Sequence, residues 1–186
     1  MSEARARLLS TASRLFYSEG LHAVGIDRIV ATAGVTRATL YRHFHSKDDL
    51  VVAYLTQADE ALRARLTASR SQGGSTDDTV RAIGQSIADD IAAHGFRGCA
   101  FLNAAAEYPD PAHPVHQAVL EHRQWFLATM IELFSDTGKP DADPAGRHFV
   151  MLRDGAMTAG CLTDPAPICE TFTRGIEGLL TYRSRS

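Results

Sequence analysis

The sequence predicts an all-α protein of about nine helices, on three observations. Apolar residues recur every three or four positions, as on one face of a helix, in segments such as residues 3–19 and 76–95. No segment alternates apolar and polar residues with the period of two that a half-buried strand shows. Short stretches rich in glycine, proline, serine and aspartate separate the apolar segments, the clearest being residues 71–75 and 138–144.

Capping signals set the ends of several predicted helices. Gly20 can end the first helix, and Ser46 with Asp49 forms a capping box that begins the fourth. In chain order, the helices are predicted at residues 3–19, 26 to the break at 33–35, 37–44, 46 through 66, 76–95, 98–107, 112–134, 145–163 and 165–183.

Residues 26–44 have the pattern of a helix-turn-helix. Ile29 lies on the apolar face of the first short helix, and Gly34 can adopt the left-handed conformation that ends it. Thr36 is a good N-cap for the second short helix, on which Leu40 points inward. In a helix-turn-helix, this second helix enters the major groove of DNA.

The segment from Ala33 to Leu50, AGVTRATLYRHFHSKDDL, resembles the signature of the tetracycline-repressor (TetR) family, with Thr36 in place of the usual serine. Residues 16–20, FYSEG, resemble the end of that family's first helix. The resemblance is specific over about the first 50 residues and architectural beyond them. It implies a three-helix DNA-binding domain, residues 1–47, followed by a helical effector-binding and dimerisation domain, residues 48–186.

The distribution of charge agrees with this division. The chain has a formal net charge of -3, yet residues 1–47 hold seven Lys/Arg against three Asp/Glu, and residues 48–186 hold twelve against nineteen. A basic first segment suits contact with phosphates, and an acidic remainder does not.

The predicted DNA contacts follow from the family resemblance and from the position of residues on the second short helix. Early residues of such a helix reach base edges, whereas Tyr41 and Lys47 suit phosphate contacts that position the protein. Helical phase leaves open which of Arg42 and His43 faces DNA. The full predicted set is Arg28, Thr36, Arg37, Ala38, Thr39, Tyr41, Arg42, His43 and Lys47.

A ligand cavity in the helical body is expected mainly from the resemblance. Binding sites combine an apolar lining with a few polar groups, although an aromatic stripe at helical spacing is more often plain core. Asn103 and Glu107, four residues apart on an apolar helix, are predicted to face inward together. The predicted lining is Phe96, Phe101, Leu102, Asn103, Glu107, Tyr108, His122, Trp125, Phe126, Met130 and Phe149.

The last two predicted helices contain small residues at close spacing. A glycine inside a helix costs about 1 kcal/mol relative to alanine, so these positions favour close approach of helices. In the TetR family the two C-terminal helices pair with their twofold mates, and packing within one subunit is the alternative. The predicted dimer interface is Gly155, Ala156, Ala159, Gly160, Phe172, Gly175, Ile176 and Leu179.

Other chemistry has weaker support in the sequence. The histidines and glutamate between residues 113 and 122 lack a third ligand at metal-site spacing, so neither a metal nor a cofactor is predicted. Cys99, close to Arg97, is expected to be a buried structural thiol, with a redox sensor as the alternative. No nucleophile elbow or glycine-rich phosphate loop occurs, so an enzyme is not expected.

The predicted function is a homodimeric regulator that binds double-stranded operator DNA, a repressor released by a small, largely apolar effector. A ligand- or metal-sensing helical module without specific DNA binding is the alternative, and an all-α enzyme using residues 113–122 is a third possibility. Three cysteines without a paired spacing fit a reducing cytosol. The absence of an apolar leader or of about 18 consecutive apolar residues predicts a soluble, cytoplasmic protein without a membrane partner.

Overall fold

The structure, a computed structural model, describes residues 2–71, 73–138 and 141–181. These residues form nine α-helices and no β-strand, which confirms the all-α prediction. Gln72, Lys139 and Pro140 of the predicted loops, and the predicted end of the last helix near residue 183, lie outside the described residues. The helices are α1 (Glu3–Glu19), α2 (Ile26–Ala33), α3 (Arg37–His43), α4 (Lys47–Ser71), α5 (Thr76–Ala92), α6 (Ala100–Glu107), α7 (Pro114–Asp136), α8 (Ala142–Ala159) and α9 (Pro165–Thr181).

The chain forms two compact units. The first comprises Met1–Ala61 and Ala100–Glu121, and the second comprises Leu62–Cys99 and His122–Ser186. Helices α4 and α7 are continuous and contribute residues to both units. The domain boundary between residues 47 and 48 stays a prediction.

The predicted caps organise the helix-turn-helix in the first unit. Gly34 has a φ of 63°, in the left-handed region, and ends α2. The Val35 N–H then donates to the Val30 carbonyl at 3.0 Å, as in a Schellman-type helix end. Thr36 begins α3, and its hydroxyl accepts a hydrogen bond from the Thr39 N–H. These local bonds fix the direction in which α3 leaves the turn.

Several helix ends differ from the prediction, and those of α4, α7 and α8 are the clearest. Helix α4 extends to Ser71, into the predicted loop. Helix α7 begins at Pro114 rather than at residue 112, because proline fits the first helical position, where no N–H is needed. Helix α8 spans Ala142–Ala159 rather than 145–163, and Pro144 is accommodated because it lies in the first turn.

An aromatic cluster fills the core of the second unit. Its four members are almost fully buried, namely Phe126, Phe134, Phe149 and Phe172. The ring of Phe149 contacts the rings of the other three, at centroid distances of 6.1 to 6.4 Å. Aromatic pairs at this separation and tilt are favourable beyond the area they bury.

No helix in the described part of the chain is long and apolar enough to cross a lipid bilayer.

We predict that Gly146→Ala destabilises the protein by about 1–3 kcal/mol, as overpacking of a core does. A Cβ at Gly146 would lie 2.7 Å from Ile131 Cγ1 and only 3.0 Å from the Ile131 backbone nitrogen, which cannot move aside as a side chain can. The matched control is Gly178→Ala, where nothing lies within 4 Å of the new Cβ. Urea unfolding followed by circular dichroism measures both, and equal midpoints for the two variants would contradict the packing argument.

Candidate nucleic-acid interface and associated sites

One face of α3 is exposed, and the opposite face packs into the first unit. Leu40 is fully buried. Because successive residues of an α-helix are rotated by about 100°, Ala38 and Arg42 point away from the core. Both are exposed, and beside them Tyr41 leaves 46% of its surface exposed, a high value for an aromatic residue. This face is available to a partner.

Helical phase separates Arg42 from His43, which the sequence left open. Arg42 is exposed, whereas His43 is half-buried and its Nε2 lies 3.3 Å from the Ser2 hydroxyl. Arg42 is therefore the residue on the outward face of α3.

Arg37 is held by an ion pair between the two helices of the motif. Its Nε donates to Asp27 Oδ1 at 2.6 Å and its Nη2 donates to Asp27 Oδ2 at 2.5 Å. The hydrogen bond from Arg37 lowers the pKa of the Asp27 carboxyl and raises the pKa of the guanidinium. In this arrangement Arg37 orients α3 against α2, and a DNA contact by Arg37 would compete with Asp27.

Three other predicted contacts also have partners within the unit. Arg28 Nη2 donates to Glu19 at 3.1 Å. Lys47 Nζ donates to the His22 carbonyl at 3.4 Å, and burial lowers the pKa of the ammonium group. Thr36 serves as the cap of α3.

Glu107, at the end of α6, binds the connection between α1 and α2. Its Oε1 accepts from the Leu21 N–H at 2.8 Å, its Oε2 accepts from the His22 N–H at 2.6 Å, and its carbonyl lies 2.7 Å from His22 Nε2. The expectation that Asn103 and Glu107 face inward together is wrong, because Asn103 is exposed and the carboxylate is occupied by backbone donors. Phe101 and Ala104 form the buried side of this helix.

Tyr108 extends the same junction. Its ring lies between the rings of His22 and His113, at 4.6 Å from each, and its hydroxyl donates to Asp48 Oδ1 at 3.1 Å. Burial, and next the hydrogen bond to Asp48, raises the pKa of Tyr108 above its ordinary range, so the hydroxyl remains a donor. His113 Nε2 lies 3.3 Å from Asp48 Oδ2. Sequence reasoning missed His22 and Asp48, since neither has a local signal for this role.

The residues of the predicted cavity lining are divided between the units. Phe101, Leu102, Asn103, Glu107 and Tyr108 belong to the first unit, and Phe96, His122, Trp125, Phe126, Met130 and Phe149 belong to the second. His122, Phe126, Met130 and Phe149 are buried, and the Arg63 guanidinium lies 3.9 Å from the centre of the Trp125 ring. Their contact with a ligand stays a prediction. Within the described residues, no group of three or more potential ligands could hold a metal ion.

An apolar groove runs along the outer face of α8 and α9. Its volume is about 670 Å³, and Met151 on its wall leaves 69% of its surface exposed. Six of the predicted interface residues line this groove, namely Gly155, Ala156, Ala159, Phe172, Gly175 and Leu179.

Gly160 and Ile176 do not belong to the outer face. A Cβ at Gly160 would lie 2.5 Å from Ile91, and Ile176 approaches Gly84 with its Cδ1, so both residues pack against α5 within one subunit. At both positions, packing against α5 inside the subunit accounts for the residue.

A helix-turn-helix with one exposed face on its second helix, joined to a larger helical body, defines a helix-turn-helix DNA-binding protein. Residues 8–54 match the family described as bacterial regulatory proteins, tetR family. The crystal structure of SCO4454, a TetR-family transcriptional regulator from Streptomyces coelicolor, is 65% identical, covers 97% of this chain and 95% of that chain, and superimposes with a TM-score of 0.94. The chain belongs to the TetR family of transcriptional regulators.

Curated relatives share shorter segments. The transcriptional activator FasR of Mycolicibacterium smegmatis is 47% identical over 53 residues, which are 28% of this chain and 24% of FasR. The transcriptional repressor NemR of Escherichia coli is 29% identical over 119 residues, 63% of this chain and 60% of NemR. The chain thus spans less than two thirds of the length of these two proteins.

We predict that Glu107→Ala lowers the stability of the folded protein by about 1.5–3 kcal/mol, the range for hydrogen bonds to a charged group. The substitution leaves the N–H groups of Leu21 and His22 without the carboxylate that accepts from both. Thermal unfolding measured by calorimetry tests this expectation. Glu121→Ala, an exposed glutamate on α7, is the control and should change stability by no more than about 0.5 kcal/mol. An equally small change in stability for Glu107→Ala would contradict the proposed role of the carboxylate.

Proposed function

We propose that this protein is a cytoplasmic, homodimeric regulator that binds operator DNA specifically and represses transcription until a small, largely apolar effector releases it. The observation that carries the proposal is the exposed face of α3, with Ala38, Tyr41 and Arg42 opposite the buried Leu40. A helix of about 10–12 Å diameter fits the major groove of B-DNA. The family's regulators are named as transcriptional proteins, and no enzymatic activity is proposed.

The proposed contacts fall into two groups. Ala38 and Arg42 point outward and are placed to approach base edges, while Tyr41 lies beside them at a position suited to phosphate. The remaining proposed contacts position the protein and have intramolecular partners to exchange for phosphate, namely Arg28, Thr36, Arg37, Thr39, His43 and Lys47. Arginine exchanging a carboxylate for a phosphate keeps its charge-assisted hydrogen bonds.

A second copy of the chain is the proposed occupant of the groove on α8 and α9. The groove presents an apolar wall with small residues such as Gly155 and Gly175, which allow the helices of two subunits to approach closely. A twofold dimer also gives two recognition helices the spacing of about 34–36 Å that adjacent major grooves require.

Effector binding is proposed for the helical body, with α4 as the element that carries the effect. Helix α4 is continuous from Lys47 to Ser71 and contributes residues to both units. Ligand and DNA weaken each other's binding by the same factor if they favour different conformations of the dimer. NemR is named as a repressor, which agrees with the proposed repression, whereas FasR is named as an activator.

We predict that Arg42→Ala weakens binding to the operator by about 10-fold, corresponding to the loss of roughly 1–3 kcal/mol expected for one arginine contact. The DNA is the region directly upstream of the protein's own gene, and binding is measured by fluorescence anisotropy over a range of salt concentrations. If Arg42 contacts phosphate, the slope of log affinity against log salt falls by about 1.

Arg70→Ala is the matched control, because Arg70 pairs with Glu132 within the second unit. It should bind operator like the unchanged protein. Footprinting should show two half-sites, and random DNA should fail to compete. Equal, sequence-indifferent binding by all three proteins would overturn the proposal of a specific regulator.

We predict that Met151→Asp converts the dimer into monomers, because a carboxylate in an apolar interface loses its hydration without a partner. Sedimentation velocity measures the change. Leu120→Asp replaces an equally large, exposed apolar residue of α7 that does not line the groove, and it should remain dimeric. If Met151→Asp is still dimeric at the lowest concentration at which the unchanged protein is dimeric, the subunits do not associate through this groove.

A further inference from the structure

An arginine side chain is buried in the second unit. Arg153, on α8, leaves only 6% of its side chain exposed, while its neighbour Asp154 leaves 20% and Arg123, on α7, leaves 36%. Arginine keeps its charge in proteins, so this is a permanent positive charge removed from water. Such a charge is costly unless it is paired and hydrogen-bonded.

The contacts of Arg153 are few for a buried guanidinium. Nη1 donates to Asp154 Oδ1 at 3.0 Å, and Nη2 donates to Cys99 Sγ at 3.5 Å, a weak acceptor. The guanidinium carbon lies 4.8 Å from the centre of the Phe126 ring. A guanidinium has five N–H groups, and these two hydrogen bonds use two of them.

Asp154 is shared with a second arginine and so does not fully neutralise the charge of Arg153. Its other oxygen, Oδ2, accepts from Arg123 Nη2 at 2.8 Å, so one carboxylate is shared by two guanidinium groups. These three side chains together carry one net positive charge. The more exposed pair, Arg123 and Asp154, lies on the solvent side, and the less satisfied group, Arg153, lies inside.

We propose that Arg153 binds the anionic group of the effector, and that the effector is a small amphipathic carboxylate. Arginine binds carboxylates through two parallel hydrogen bonds, which a partly occupied guanidinium can still offer. Phe126 contacts the guanidinium with its ring, and Phe149 contacts Phe126, so apolar surface adjoins the charge. Binding sites of small molecules combine such apolar walls with one or two polar groups. This inference rests on the proposed effector-regulated function and names the chemical class of its ligand.

A purely structural arginine would behave differently. If Arg153 only joined α7 and α8, a second carboxylate would find no donors and would not stabilise the protein. If Arg153 binds an anion, carboxylates stabilise the folded state by mass action, the more so the higher their affinity, and neutral analogues of the same shape do so less.

The test is thermal unfolding of the full chain in the absence of DNA, with three matched pairs of probes. Benzoate, phenylacetate and hexanoate are compared with benzamide, phenylacetamide and hexanamide at constant ionic strength. We expect at least one carboxylate to raise the unfolding midpoint with the logarithmic concentration dependence of binding to the folded state, with its amide at least about 10-fold weaker, as the loss of charge-assisted hydrogen bonds implies. If no carboxylate raises the midpoint, or if each amide equals its acid, the proposal is overturned.

Two variants assign the effect to this site. Arg153→Met removes the charge and should abolish the preference for acid over amide, whereas the exposed Arg174→Met on α9 should retain it. Asp154→Asn removes the competing carboxylate at nearly constant shape and should increase carboxylate affinity. It tests the site even if Arg153→Met fails to fold. If both Arg153→Met and Asp154→Asn bind carboxylates as tightly as the unchanged protein does, the assignment is overturned. If Arg153→Met does not fold, unchanged affinity in Asp154→Asn is sufficient to overturn it.

Binding to operator is measured separately on the same proteins. If the unchanged protein binds operator but shows no preference for acids over amides, only the present inference fails. Failure of the unchanged protein to bind operator affects the proposed function and leaves the ligand measurement interpretable, since that measurement contains no DNA.

Discussion

The carboxylate of Glu107 is the contact on which the arrangement of the first unit depends. It satisfies two consecutive backbone N–H groups of the connection between α1 and α2, which lies 86 residues earlier in the chain. Tyr108, whose ring contacts those of His22 and His113 at tilted angles, adds a second set of contacts at the same place. The connection between α1 and α2 is therefore held by α6, a segment outside the helix-turn-helix, through charge-assisted hydrogen bonds.

Local signals were sufficient to predict the fold and the helix-turn-helix. The left-handed Gly34, the Thr36 cap and the inward Leu40 involve neighbours within a few residues, so their sequence pattern determines their structure. The capping box of Ser75 and Asp78 is local in the same way. Ser75 is the N-cap, and α5 begins at the next residue, Thr76, as predicted. Helix starts shifted where proline occupied a first turn, as in α7 and α8, whereas the end of α4 moved into the predicted loop without a proline.

Contacts between distant segments could not be predicted in this way. The sequence indicates that Glu107 needs a partner but gives no means of distinguishing a ligand from the backbone of residues 21 and 22. Arg153 follows apolar residues on a helix that also carries several exposed charges, and only the packed structure shows that it is the buried one. Glycines present a similar ambiguity, since Gly155 lies on the open groove while Gly160 contacts α5. A spacing of small residues indicates close packing but not the partner.

Regulation by an effector has an energetic requirement. A ligand shifts an equilibrium only by its difference in affinity for two states, so its contacts must change between the DNA-binding and released forms. The proposed ligand group, Arg153, lies in the second unit, whereas the recognition helix α3 lies in the first. Helix α4 is continuous and contributes residues to both units, and it is therefore the proposed carrier of this difference in contacts.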